Sequence, residues 1–211
     1  MHSKRIYSAG KLPAEAERVL LMLHGRGAGA RDILSFSEYL DVKDFALIAP
    51  QAENNSWYPH SFLAPQEQNE PWLTSALKLV KEVIQDLNEQ GIKSESVYML
   101  GFSQGACLTL EFAARNAKRY GGIIAFTGGL IGERIQGENY SGDFNGTPVF
   151  IGSSDPDPHV PVERVNATAE LFRRMNASVE LKIYKNLGHT ISQDEISKAN
   201  ALILSGHKEQ S

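Results

Sequence analysis

One cysteine, Cys107, stands among 211 residues. No disulfide can close within the chain, and a reducing compartment is the expectation. Positive charge is not in excess either: 21 Lys and Arg face 25 Asp and Glu, a formal net charge of −4. Without a basic surplus there is little to displace counterions from a phosphate backbone, which argues against nucleic acid as a partner. Long apolar runs are missing too. None approaches the ~20 residues of a membrane span. The opening Met1-His2-Ser3-Lys4-Arg5-Ile6 carries charge with no apolar stretch behind it, so it does not read as a signal peptide. The expectation is a cytoplasmic protein with no membrane partner. Internal repeats and low-complexity tracts are likewise lacking.

The apolar content of 42% and charged content of 22% are those of an ordinary globular chain. The length suits one sizeable core and is short for two, so residues 1–211 read as a single domain. The polar tail 206–211 is expected to fray.

Apolar runs alternate with amphipathic stretches along the chain. Residues 19–23 and 45–49 are continuous apolar runs, as expected of strands buried on both faces. Residues 32–40 look helical between them. The clearest helix spans 71–90, with Trp72, Ala76, Leu79, Val80, Val83 and Leu87 on one stripe, Pro71 in the first turn and Gly91 as its stop. Then follow a strand at 97–100, a helix at 104–116, strands at 122–126 and 149–151, a helix at 161–175 and a strand at 179–184. Ser192, three residues before Glu195, reads as the capping box of a last helix. Such alternation means an α/β fold, with a mostly parallel central sheet covered by helices on both faces. Residues 4–8 add a candidate antiparallel edge strand. One segment breaks the pattern: 51–70 carries Trp57, Tyr58, Phe62 and Leu63 without any period. It reads as a wall of a substrate pocket, the plainer alternative being rings that only pin the loop to the body.

The chemistry gathers around Gly101-Phe102-Ser103-Gln104-Gly105, between an apolar strand and a helix. G-x-S-x-G in that context is a nucleophile elbow, in which glycines let strand and helix pass closely around an exposed serine. Ser103 could also merely cap the helix. A serine nucleophile needs a base, and the base needs an acid to orient it. His189, after glycine and a late strand, is the candidate base. Asp155 and Asp157, just past the strand at 149–151, are both candidate acids, and either could instead form an Asx turn. Loops at strand ends of a parallel sheet gather along one edge, so residues far apart in the chain can converge there. The amide of Gln104 and that of Arg26, in the loop His24-Gly25-Arg26-Gly27, would form an oxyanion hole. Cys107 reads as a small buried apolar group.

Rival readings exist. Gly25-Arg26-Gly27-Ala28-Gly29-Ala30 fits a dinucleotide-binding loop, but the next strand ends Ala49-Pro50-Gln51 without the acid a ribose needs. Asp155, Asp157 and His159 could begin a metal site, but no further cluster completes it, so no metal is expected. A non-catalytic module of the same fold would have little reason to keep all three polar positions.

Taken together, Leu23-His24-Gly25-Arg26-Gly27, the Gly-Phe-Ser-Gln-Gly pentad, Asp157-Pro158-His159-Val160-Pro161 and Gly188-His189 resemble the phospholipase/carboxylesterase family of α/β-hydrolases, which includes the acyl-protein thioesterases. The resemblance spans nearly the whole chain. It implies a seven- or eight-stranded sheet, no cofactor, a pairing into homodimers in many members, and hydrolysis of a small-molecule ester or thioester through an acyl-enzyme. The family's Asp-Pro-x-Val-Pro motif matches Asp157, which the resemblance therefore favours as the acid; the offset from Gly152 falls nearer Asp155, which stays as the alternative. Nothing reads as a large lid domain, which points to small or short-chain acyl substrates, with acyl-protein thioesterase or lysophospholipase activity as the alternative.

Overall fold

A computed structural model describes residues 1–205; the tail 206–211, expected to fray, lies outside the described residues. The apolar runs become seven strands: β1 (Ile6–Gly10), β2 (Arg18–Leu23), β3 (Phe45–Pro50), β4 (Val97–Phe102), β5 (Gly122–Phe126), β6 (Pro148–Asp155) and β7 (Ser178–Lys185). They form one sheet in the order β1-β3-β2-β4-β5-β6-β7. β1 runs antiparallel to β3, and the remaining pairs are parallel. The edge strand expected at 4–8 exists, shifted two residues along the chain. β6 is longer than the apolar run 149–151 suggests. Gly152, Ser153 and Ser154 carry no apolar signal, yet the ladder with β7 continues through them to Asp155.

Among the described residues five α-helices cover the sheet: α1 (Ala30–Ser35), α2 (Trp72–Glu89), α3 (Gln104–Arg115), α4 (Val162–Arg174) and α5 (Gln193–Ala199). Alternate side chains of the inner strands feed two separate cores. Leu20, Met22, Leu47, Leu100, Ile124 and Phe150 pack with α1 and α5 through Ile33 and Ile196. Val19, Leu21, Met99, Ile123 and Ile151 pack on the other face with residues of α2, α3 and α4, among them Val80, Leu108 and Phe172. Burying each such side chain contributes roughly 1.5–3 kcal/mol, and the two-sided burial explains why the central strands read as unbroken apolar runs.

Helix ends follow local chemistry. Gly91 takes φ +84° after α2, and the Ile92 and Gly91 amides close onto Leu87 O and Asn88 O at 3.0 and 2.9 Å, a Schellman stop. Pro71 sits just before α2 rather than in its first turn. α1 starts at Ala30, earlier than expected, because Asp32 accepts from the Gly29 N–H at 2.7 Å and Gln51 Oε1 from the Ala30 N–H at 2.8 Å. It gives way to a 3-10 turn over Phe36–Tyr39. The capping box at Ser192 forms as expected.

The sheet order sets the position of the site. The chain leaves β2 for β3 on one side and returns to β4 on the other, so the ends of β2 and β4 flank a topological switch point, where open α/β sheets form their binding crevice. β6 and β7 lie two and three places from β4. At ~4.8 Å per strand their loops must lean back roughly 10–15 Å to reach it.

Candidate active site

Between the end of β4 and the start of α3, Ser103 stands alone with φ 53° and ψ −119°. A left-handed φ at a residue with a Cβ costs on the order of 1–3 kcal/mol. The turn is held by the Ser103 N–H donating to Phe126 O at 2.9 Å and the Cys107 N–H donating to Ser103 O at 3.0 Å. Both flanking glycines are sterically required. A Cβ on Gly105 would overlap Leu23 O, and one on Gly101 would overlap Gly105 O. The hydroxyl does not cap α3; it faces His189 instead, with Oγ 2.8 Å from Nε2.

The other imidazole nitrogen, Nδ1, lies 2.9 and 3.2 Å from the two carboxylate oxygens of Asp157. An ionised carboxylate only accepts, so Nδ1 carries the proton and Nε2 presents a lone pair to the Ser103 O–H. Burial opposes ionisation of Asp157. The His159 amide, the His189 ring and the Val160 amide outweigh it together, and the carboxyl sits below its ordinary value. The two amides donate to Oδ1 at 2.8 and 2.9 Å. Asp155 ends β6 exposed to solvent, and its carboxylate makes no hydrogen bond among the described residues. Its peptide oxygen accepts the Asn186 N–H at 3.0 Å. Of the two candidate acids, then, Asp157 is the one that meets the imidazole.

Two further features aim the ring. Gly188 takes φ +77°, open to glycine without strain. Its N–H donates to the buried Ser154 Oγ at 2.9 Å, while Ser154 donates to Pro156 O at 3.2 Å. Ser154 thereby ties the acid loop to the histidine loop. Sequence reasoning missed it, since a serine inside a strand carries no signal of a cross-loop role. Phe102 and His159 border the ring at 5.5 and 4.9 Å between centroids.

The segment 51–70 closes one side, and its residues divide. Tyr58, Phe62 and Leu63 line a cavity of about 630 Å³ beside Ser103 and His189. Trp57, expected to join them, does not reach it. Its buried indole N–H needs a partner and donates to His24 O at 2.8 Å, turning the ring into the core. The segment is held by two side chains named for their amides alone. Gln104 accepts the Trp57 N–H at 2.9 Å and donates to Tyr58 O at 2.8 Å. The Arg26 guanidinium donates to Ser56 Oγ, Pro59 O and His60 O at 3.0, 2.9 and 2.7 Å. His24, fully buried, accepts the Ala52 N–H on Nε2 at 3.2 Å, and burial holds its pKa below the ordinary value. Gly25 lies against the elbow: a Cβ there would crowd the Phe102 ring and touch Ser103 Cβ. Arg26, the next residue, lines the same cavity as Ser103. The Gln104 N–H, first in α3, has no carbonyl one turn back to serve it.

Cys107 forms part of the cavity wall, buried, with its thiol pKa pushed up to about 12 by burial. The glycine-rich loop does not offer a phosphate cradle, because Asp32 and Gln51 take the amides at the start of α1. Among the described residues no three His, Cys, Asp or Glu side chains converge as metal ligands would, and no helix is long and apolar enough to cross a membrane.

Residues 8–205 match the phospholipase/carboxylesterase family. The chain is 30% identical over 207 residues to acyl-protein thioesterase 1 of Eremothecium gossypii, covering 89% of this chain and 87% of that protein. It is 32% identical over 130 residues to acyl-protein thioesterase 1 of Kluyveromyces lactis, where the match spans 59% of this chain and only 56% of the relative's length. A crystal structure of a phospholipase/carboxylesterase from Dyadobacter fermentans shares 54% identity and superposes with a TM-score of 0.95, covering 96% of this chain and 97% of that one. These likenesses establish the α/β-hydrolase fold.

Proposed function

Because the chain belongs to the phospholipase/carboxylesterase family, we propose that it is a serine hydrolase cleaving carboxylic esters or thioesters of small or short-chain acyl substrates. The observation that carries this reading is the unbroken hydrogen-bond line from Asp157 through His189 to Ser103. In the proposed cycle, Nε2 of His189 takes the Ser103 proton as Oγ attacks the substrate carbonyl. The Arg26 and Gln104 amides hold the oxyanion, each donor contributing about 3 kcal/mol at the transition state. Nε2–H then passes its proton to the leaving alcohol or thiol, and an acyl-Ser103 ester remains. Water, deprotonated by the same nitrogen, attacks that ester, and Nε2–H returns the proton to the departing Ser103 Oγ as the carboxylic acid is freed. Asp157 holds the tautomer and steadies the imidazolium throughout. No step calls for a cofactor.

The short-chain preference is supported by the buried Tyr58, Phe62 and Val160 on the cavity wall and by the anchoring of segment 51–70 through Gln104 and Arg26. A cytoplasmic site of action and assembly into homodimers belong to the same proposal. The first is supported by the single, buried thiol and the second by the family resemblance. The test is a series of p-nitrophenyl acetate, butyrate, octanoate and palmitate esters with a thioester beside them. The short esters should turn over fastest, and Ser103→Ala should abolish turnover while leaving the thermal transition in place. Turnover retained by Ser103→Ala would defeat the assignment.

A further inference from the structure

Among the described residues, Arg26 is the one permanently charged side chain lining the cavity beside Ser103, on a chain whose formal charge is −4. No aspartate or glutamate among the described residues lines it, and the nearest carboxylate the site uses, Asp157, lies behind His189, 2.9 Å from Nδ1. Arg26 is the decisive residue. Its guanidinium is locked in place by three acceptors, Ser56 Oγ, Pro59 O and His60 O, and all three are neutral. No carboxylate lies within ion-pair distance of it among the described residues. A guanidinium has five N–H donors, so donors and the whole charge remain for something else.

The loop that holds this cation is itself fixed to the elbow, because the Gln104 side chain grips Trp57 N and Tyr58 O. The charge is therefore preorganised relative to the nucleophile, the condition under which a fixed fork selects a carboxylate or phosphate. If Arg26 served only to tie the loop, its charge would be incidental and substrate charge would not matter.

Resting on the serine-hydrolase reading, we propose that the substrates carry an anionic group, carboxylate or phosphate, near the scissile carbonyl, and that the Arg26 guanidinium receives it. The residue is solvent-exposed, so the gain is limited by screening.

The test compares matched neutral and anionic esters. One pair is methyl 4-acetoxybenzoate against 4-acetoxybenzoate, and another is p-nitrophenyl methyl adipate against p-nitrophenyl hydrogen adipate. 4-Acetoxyphenyl phosphate against phenyl acetate separates phosphate from carboxylate. The anionic member of at least one pair should show kcat/KM about tenfold higher, about 1.4 kcal/mol, with the ratio shrinking as salt is added. Arg26→Gln should bring that ratio to about one whatever it does to absolute rates, and Arg26→Lys should restore part of it. A ratio at or below one in every pair, with Ser103-dependent cleavage of the neutral esters intact, overturns the anion inference and leaves the hydrolase reading standing. A preference that survives Arg26→Gln also overturns it. Loss of Ser103 dependence would instead strike the hydrolase reading.

Discussion

Replacing Asp157 by asparagine exchanges one oxygen for an NH2 group, and the surroundings decide which way the amide must point. Oδ1 accepts the His159 and Val160 amides at 2.8 and 2.9 Å. An asparagine must keep its carbonyl oxygen there, since the flipped amide would set two donors against two donors. Its NH2 then takes the place of Oδ2, 2.9 Å from Nδ1 of His189. Facing a donor, Nδ1 can only accept, so the ring proton moves to Nε2, which then points an N–H at Ser103 Oγ. A base in that tautomer cannot take the serine proton. The expected loss in kcat is about 10⁴-fold, near 5.5 kcal/mol, the size seen for tautomer inversion in a related triad. Asp155→Asn should stay within about threefold of wild type, as expected of an exposed side chain without partners. Steady-state hydrolysis of p-nitrophenyl acetate, with circular dichroism to verify folding, measures both. The reasoning is refuted if Asp157→Asn keeps activity within about tenfold of wild type, or if the two variants fall in the reverse order.

Ser154→Ala removes the tie between the acid and histidine loops and leaves the Gly188 N–H without its acceptor. At about 1.4 kcal/mol for one lost hydrogen bond, kcat should fall about tenfold with KM nearly constant; a raised KM at unchanged kcat would contradict a positioning role. Glu195 offers a stability test. Burial raises its pKa above the ordinary 4.5 despite the Ser192 donors, and Oε1 has no partner. A carboxyl raised in the fold destabilises progressively as pH climbs from its unfolded value through its folded one. Glu195→Gln should therefore raise Tm at neutral pH and match wild type near pH 4.5. A Tm gain that persists unchanged in acid would show that charge is not the cause.

Much of the fold was legible because it rests on local rules. The two-faced burial of Val19 to Leu23 and of Phe45 to Ala49 produces apolar runs that any reading of period detects. The stripe of α2 and the Ser192–Glu195 box are set within a few residues. β6 was read short because Gly152-Ser153-Ser154 pair through backbone alone. A ladder leaves no mark on side-chain pattern.

At the site, residue order by itself determined the elbow and the histidine that follows a late strand, because each is a spacing between a strand end and a polar residue. Strand-end spacing alone did not separate Asp155 from Asp157, which share one chemistry two positions apart and of which only the family motif favoured Asp157, nor Trp57 from Tyr58, adjacent rings in one loop. Those choices belong to tertiary structure. Which carboxylate faces the imidazole, and which ring faces the cavity, depends on how loops from β3, β6 and β7 lean toward β4. That lean is set by hydrogen bonds among distant segments, through Ser154, Gln104 and Arg26.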